Sequence, residues 1–172
     1  MKVVIEKLTG VDLMREACEF TMLKGKSKQT LKSMYKMKHS PQRTQIFIVK
    51  MYDIPAFVAH HFRTHNVGFM GHFITSRRDD RGGEAEETRS EPVNHMFICN
   101  AESLMDMSHD RMCHGAVHIR TWEVMNEIKK QIETVDPDLY PHLKPKCMVY
   151  RDGCTERNSC GLVNIYGGES NE

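Results

Sequence analysis

The stretch "TQIFIVKMYDIPAFVAHHFRTHNVG", residues 44–68, changes its hydrophobic period in the middle. Its first part, through Tyr52, is β-branched and aromatic and reads as a largely buried strand. Asp53 stands where an N-cap is expected, and Pro55 suits a first helical turn. Beyond it Phe57, His61 and His65 recur every four residues, with Val58 and Phe62 beside them. That spacing predicts a helix with two histidines on or near its buried stripe. Imidazoles usually avoid such a stripe, so the joint between strand and helix marks a candidate site as well as a fold element. Gly68 and Gly71 are expected to break the helix.

Towards the N-terminus, "KVVIEKL" (2–8) reads as another strand. Thr9 and Asp12 have capping-box spacing, and Met14, Ala17, Cys18 and Thr21 then predict a helix over 10–23. Leu31, Met34 and Tyr35 share one face of a second short helix, which "HSP" (39–41) ends because the residue before a proline avoids the α region. Towards the C-terminus, "RRDDRGGEAEETRSEP" (77–92) is charged and glycine-rich, the expected mobile surface loop. "VNHMFIC" (93–99) is a further strand. From Asn100 to about Glu133 a long helical pattern runs through Leu104, Ser108, Met112, Ile119, Met125, Ile128 and Ile132. Gly115 weakens it by roughly 1 kcal/mol relative to alanine, and "VDPDLYP" (135–141) stops it. With no internal repeat and no second domain, the expectation is one α+β domain over 1–160, helices packed on a mostly antiparallel sheet, and a polar tail over 161–172.

At 172 residues the chain can bury a sizeable core. A formal charge of +1 removes the global basic field expected of a nucleic-acid binder, though a local anion site stays open. No apolar run approaches a membrane span, and "MKVVIEKLTG" lacks the apolar centre of a signal peptide, so no membrane contact and a cytoplasmic location are expected. Six cysteines in that compartment are expected to be free thiols. A rival set of zinc ligands, His142, Cys147, Cys154 and Cys160, has suitable softness but matches no C-x-x-C knuckle. His114 and His118 lie i, i+4 without the glutamate of an H-E-x-x-H motif, and no metal site is assigned. Thirteen methionines fit a methionine-rich core. Neither a Ser-His-Asp arrangement nor a Rossmann or P-loop glycine pattern is present.

Taken in order, four segments resemble the flavin-dependent thymidylate synthases. "KHSPQRTQIFIV" (38–49) resembles the family's His-Ser-Pro segment leading into a strand, and "IPAFVAHHFRTHNVG" (54–68) the helix that ends in the signature Arg-His-Arg. "ITSRR" (74–78) resembles the Ser-x-Arg that closes the signature. "CNAESLMDMSHDR" (99–111) resembles Asn-Ala-x-Ser-Leu-x-Asn followed by an arginine five residues on, and is the most specific match. The chain departs from the pattern in several places. Thr64-His65-Asn66 replaces Arg-His-Arg, Phe69 replaces the signature serine, and Gly71-His72 replaces an Asn-Glu pair. Asp106 stands for the second asparagine and Arg43 for a histidine. The segment between the signature and the long helix is shorter than in the family.

The resemblance implies flavin-dependent one-carbon transfer from methylenetetrahydrofolate to C5 of a deoxypyrimidine monophosphate, dUMP to dTMP being the leading case. FAD is the implied cofactor, NADPH the source of hydride, and a homotetramer with sites between subunits the implied assembly. It assigns Arg111 to the pyrimidine ring and to the negative charge that develops when C5 becomes nucleophilic. It places His65, Asn66, Asn100, Asp106 and Arg43 against the flavin. The nucleotide phosphate needs charged, forked donors, for which Arg63 and Arg77 are candidates, with Thr75 and Ser76 as added hydroxyls. His60 and His61 are open between packing and substrate contact. Two alternatives stand beside this reading. One is the same chemistry on another pyrimidine such as dCMP, whose amino group Asp106 or His72 would read; the other is a non-catalytic homologue that binds flavin or nucleotide.

Overall fold

The computed structural model describes residues 1–65, 67–73, 89–150, 153–157 and 159–161. Four strands form one antiparallel sheet: β1 (Lys2–Lys7), β2 (Ile46–Pro55), β3 (Phe69–Phe73) and β4 (Pro92–Asn100), in the order β1-β2-β4-β3. Strand side chains alternate between faces. Val3 and Ile5 of β1 lie opposite Met51 and Val49 of β2, while Phe47, Val49 and Met51 lie opposite Cys99, Phe97 and His95 of β4. All of these point to one buried face. The alternation slips between Met51 and Ile54, where the register shifts and Asp53 adopts φ +54°. The extra residue returns Ile54 to the core face.

Five α-helices occur among the described residues: α1 (Val11–Glu19), α2 (Leu31–Met37), α3 (Ala56–Arg63), α4 (Ala101–Arg111) and α5 (Ile119–Val135). Helix α5 packs on β1 and β2, and α3 lies over β2 and β4. The buried stripe of α5 is Thr121, Val124, Met125, Ile128 and Ile132, an i, i+3/i+4, i+7 pattern. Helix α3 buries Val58, Ala59 and Phe62, and Phe62 stacks on Phe97 with ring centroids 6.1 Å apart. The expected fold class, helices on an antiparallel sheet, is the observed one.

Several local expectations are corrected. Thr9 is not an N-cap: its hydroxyl donates to the Thr44 carbonyl (2.7 Å) and accepts from the Ile46 amide (2.9 Å), tying β1 to β2. Gly10 occupies the cap, and α1 ends at Glu19. Asp53 does not cap α3. The Ala56 and Phe57 amides donate instead to the carbonyls of Glu91 and Arg89, so backbone supplies what a side-chain cap would have. Gly71 lies inside β3, a strand the sequence pattern did not announce, opposite Phe97. A Cβ there would fall 2.8 Å from the Phe69 ring. The long pattern after Asn100 is two helices. It breaks at Met112, and His118 starts α5 by accepting from the Arg120 amide (3.2 Å).

Behind the sheet, Asp136 is 2% exposed and accepts from both Lys7 Nζ and the Tyr35 hydroxyl, each at 2.7 Å. Burial first, and the Asp136 charge second, hold the Tyr35 phenol far above its usual pKa, so it stays a donor. No helix among the described residues is long and apolar enough to cross a membrane.

Candidate active site where α3 and α4 end

Helix α3 stops at Arg63, one residue before the altered signature, with Thr64 as its C-cap. The Thr64 hydroxyl donates to the His61 carbonyl (2.9 Å), a bond that satisfies one of the orphan carbonyls of the last turn. Helix α4 ends alongside, and its last residue, Arg111, reaches across. Arg111 Nε donates to His65 Nε2 at 3.1 Å, and an Nη donates to Thr64 Oγ1 at 2.7 Å. A guanidinium is only ever a donor, so His65 Nε2 carries the lone pair and the ring proton sits on Nδ1. Burial, and then the Arg111 charge, lower the His65 pKa, which keeps the imidazole neutral. Burial also lowers the pKa of the half-buried Arg111, which nonetheless stays a cation in any aqueous pH range.

The turn from α3 into β3 is fixed by Gly68 and Asn100. Gly68 has φ +65°, and a Cβ there would lie 2.3 Å from the Asn100 amide nitrogen. Asn100 donates its own backbone N–H to the Gly68 carbonyl (3.1 Å), while its side chain caps α4 by accepting from the Ser103 amide (2.9 Å). Asn100 thereby sets α4, and with it Arg111, against the signature turn.

A second cluster flanks the first. His61 Nδ1 lies 2.8 Å from the hydroxyl of the fully buried Thr121. Burial, followed by Arg111 and His118, lowers the His61 pKa. Phe57 lies edge-on to both His61 and His118, at centroid distances of 5.8 and 4.8 Å. His61 sits half-buried at the border of the α3 stripe, whereas His65, expected on the same helix, lies two residues beyond its end and is half-buried as well.

Of the residues singled out from sequence, the structure brings His65 and Arg111 into contact and ties Asn100 to Gly68 of the neighbouring turn. Arg43 stands apart, paired with Glu102 of α4 through Nε at 2.5 Å and an Nη at 3.3 Å. Asp106, exposed, follows Glu102 by one turn and lies 3.8 Å from His109 Nδ1. Its carboxyl pKa is raised by partial burial and by Glu102. Five residues along a helix is a rotation of about 140°, so Asp106 and Arg111 leave α4 on different sides. Arg63 is exposed and acts electrostatically on His95; His60 and His72 are exposed as well. Asn66, Thr75, Ser76, Arg77, the charged loop up to Thr88 and residues 162–172 lie outside the described residues. Sequence reasoning missed Thr64 as a partner of Arg111 and Thr121 as a partner of His61. Their separations of 47 and 60 residues leave no local signal.

An antiparallel sheet ordered β1-β2-β4-β3 and covered by helices is the architecture of the flavin-dependent thymidylate synthases. The chain has that fold. Two structures of thymidylate synthase ThyX from Helicobacter pylori, with FAD and dUMP, are similar to it at TM-scores of 0.65 and 0.66. They share 11% and 10% identity, covering 84% of this chain and 100% of theirs. The UMP/dUMP methylase PolB from Streptomyces cacaoi, bound with 5-Br dUMP, is similar at a TM-score of 0.58 with 11% identity, covering 82% of this chain and 94% of its own. No family model matches the sequence, and no curated protein is matched by it.

Proposed function

We propose that the protein transfers a one-carbon unit from methylenetetrahydrofolate to C5 of a pyrimidine nucleoside monophosphate, with dUMP to dTMP the leading reaction. The observation that carries this reading is the Arg111–His65 contact. Two residues 46 apart in sequence, each matched independently to the family's motifs, meet at one place in a fold whose solved examples hold dUMP. A bound FAD, reduced by NADPH, would supply the hydride that completes the methyl group. The donor set fits such a group in one respect: a neutral, half-buried imidazole at a helix end offers a flat face and an Nδ1–H donor without competing for charge.

The chain's own residues orient and stabilise charge. Arg111, held at two of its nitrogens, presents a positioned cation to the pyrimidine. Charge gathering on the ring as C5 turns nucleophilic is stabilised there without reorganising solvent, which makes a large catalytic contribution in a water-poor site. Thr64, where the family has arginine, adds no charge, so the phosphate needs other cations. Arg63 is the described candidate, and Arg77 remains an expectation from sequence. Arg43 and Asp106 leave the fold on another side from Arg111, which suits an assembly of several copies, the expected homotetramer, in which neighbouring chains complete each other's sites.

The test is tritium release from C5-labelled nucleotide by FAD-loaded protein supplied with NADPH and methylenetetrahydrofolate. Release from dUMP is expected. UMP and dCMP belong in the same series, UMP because PolB is a UMP/dUMP methylase. Release from dCMP alone moves the proposal to a cytosine acceptor. A folded, colourless protein that takes up no FAD and releases no tritium from any of the three sinks the enzymatic reading and leaves a non-catalytic homologue.

A further inference from the structure

Two imidazoles beside the Arg111 contact carry their ring protons on the same atom. The first is His61, whose Nδ1 lies 2.8 Å from the hydroxyl of the fully buried Thr121. That hydroxyl has no other partner among the described residues, so its proton has one place to go, and it donates to Nδ1. The reverse assignment would leave a buried hydroxyl proton unsatisfied, at the full cost of its desolvation. The His61 ring proton therefore sits on Nε2, the opposite tautomer from His65. Nε2 is on the far side of the ring from Thr121, at the half-exposed edge, and it meets no acceptor among the described residues.

The second is His118, the exposed N-cap of α5. The Arg120 amide donates to its Nδ1 at 3.2 Å, which again leaves the proton on Nε2. The His118 carbonyl accepts from the Thr121 amide at 2.9 Å, so the residue that orients His61 belongs to the turn that His118 opens. Phe57 joins the two rings, edge-on to both. Arg111 is close by through the backbone of α3. The His61 carbonyl accepts from the Thr64 hydroxyl, and that same oxygen accepts from Arg111. His61 also precedes His65, the other partner of Arg111, by four residues, which is about one helical turn. Two imidazole N–H groups and a guanidinium thus border one stretch of surface, and all three are donors.

We infer that His61 and His118 bind the phosphate of the nucleotide through their Nε2–H groups, supplying donors where the resemblance expects an arginine and this chain has Thr64. The inference rests on the reading of the protein as one that acts on a pyrimidine nucleoside monophosphate, and it names the groups that hold that substrate's charged end. A phosphate presents several strong acceptor oxygens. Two N–H groups from separate helices match such a group better than a single ring carbonyl, which one donor would satisfy. Both donors are fixed before the ligand arrives, His61 by Thr121 and His118 by the Arg120 amide, so little ordering is left for binding to bear. With the pyrimidine at Arg111, the phosphate lies about one turn, roughly 5.4 Å, back along α3. Phe57 screens the rings from water on one side and strengthens their bonds to a charged ligand.

The experiment is long-range proton–nitrogen NMR of the histidine rings in the full chain, with inorganic phosphate, deoxyuridine and dUMP as probes. Free protein should show a protonated Nε2 and a bare Nδ1 for His61 and His118, and the reverse for His65. Single glutamine variants of the three assign the signals. Phosphate and dUMP should shift the Nε2 signals of His61 and His118, and deoxyuridine should leave them in place. His61→Ala and His118→Ala should each weaken dUMP binding about tenfold or more, as loss of a hydrogen bond to a charged group does. His61→Gln, which keeps an N–H donor, should recover part of that loss. A proton on His61 Nδ1 overturns the inference. So do shifts as large with deoxyuridine as with dUMP, or alanine variants that bind dUMP like the wild type. Should those variants fail to fold, the wild-type spectra decide. None of these readouts needs flavin or turnover. Phosphate shifts in a protein that releases no tritium keep the site and sink the activity, whereas tritium release from dUMP without those shifts does the opposite.

Discussion

Arg111 donates from Nε to His65 Nε2 at 3.1 Å and from an Nη to Thr64 Oγ1 at 2.7 Å, so the helix end of α4 grips the turn that ends α3. The contact fixes one tautomer of His65 and one direction for the guanidinium. Arg111→Lys keeps the charge and loses the planar fork. It is expected to lower kcat/KM for C5 methylation by about a hundredfold, as removal of one oriented charge donor does elsewhere. Urea unfolding should change by less than about 1 kcal/mol, since the contact is at the surface end of both helices. Equal activity in the variant would remove Arg111 from the chemistry.

Thr64 acts through Arg111 and is a positioning residue. Thr64→Val keeps the shape but removes both the acceptor for Arg111 and the donor to the His61 carbonyl. The expected result is a loss of about tenfold in kcat/KM, worth about 1.4 kcal/mol, with Thr64→Ser restoring most of it. A merely structural role would be revealed by a lowered Tm with unchanged kinetics per folded molecule.

Gly68 cannot carry a side chain. Its φ of +65° disfavours a Cβ, and the space that atom needs is held by the Asn100 amide. Gly68→Ala is expected to cost about 2 kcal/mol or more, combining left-handed strain with loss of the α4 cap. Asn100→Ala, which removes the cap alone, should cost about 1 kcal/mol. Urea midpoints at constant m-value check both.

The buried Asp136 is the costliest polar residue to disturb. Tyr35→Phe deletes a charge-assisted bond and is expected to cost about 2 kcal/mol. Asp136→Ala strips the partner from a Lys7 that is only 15% exposed and should cost about 3–5 kcal/mol. A double-mutant cycle of Tyr35→Phe with Asp136→Ala should give clear coupling; additive costs would mean the two do not interact.

Acid should destabilise the fold through its buried histidines. Burial first holds both His95 and His109 down to about 4, against an ordinary 6.5. Above about pH 6.5 both are neutral folded or unfolded, and their contribution is complete. As pH falls from about 6.5 towards about 4, the unfolded chain gains protons that the folded chain refuses. Stability then drops by up to about 1.4 kcal/mol per pH unit for each group. His109→Gln should flatten that slope in urea titrations across this window; an unchanged slope counts against its depressed pKa.

What could be read in the sequence was whatever short-range periodicity and spacing record. A β-branched and aromatic run over 44–52, with strand-like segments at 2–8 and 93–99, announced three strands because such side chains pack well on a pleated, buried face, and the motif spacing at 38–49, 54–68 and 99–111 pointed to the fold and to His65 and Arg111. Tertiary structure decided the rest. Gly71 belongs to a strand because β4 offers an edge and Phe69 needs the space; Thr9 bonds β2 because that strand passes beside it; Asn100 bonds the Gly68 carbonyl because the end of β4 meets the turn that leads into β3. Thr64 meets Arg111, and His61 meets Thr121, because the ends of separate helices come together in space. Such meetings depend on how packed elements bring distant residues together, and no local pattern along the chain carries that information.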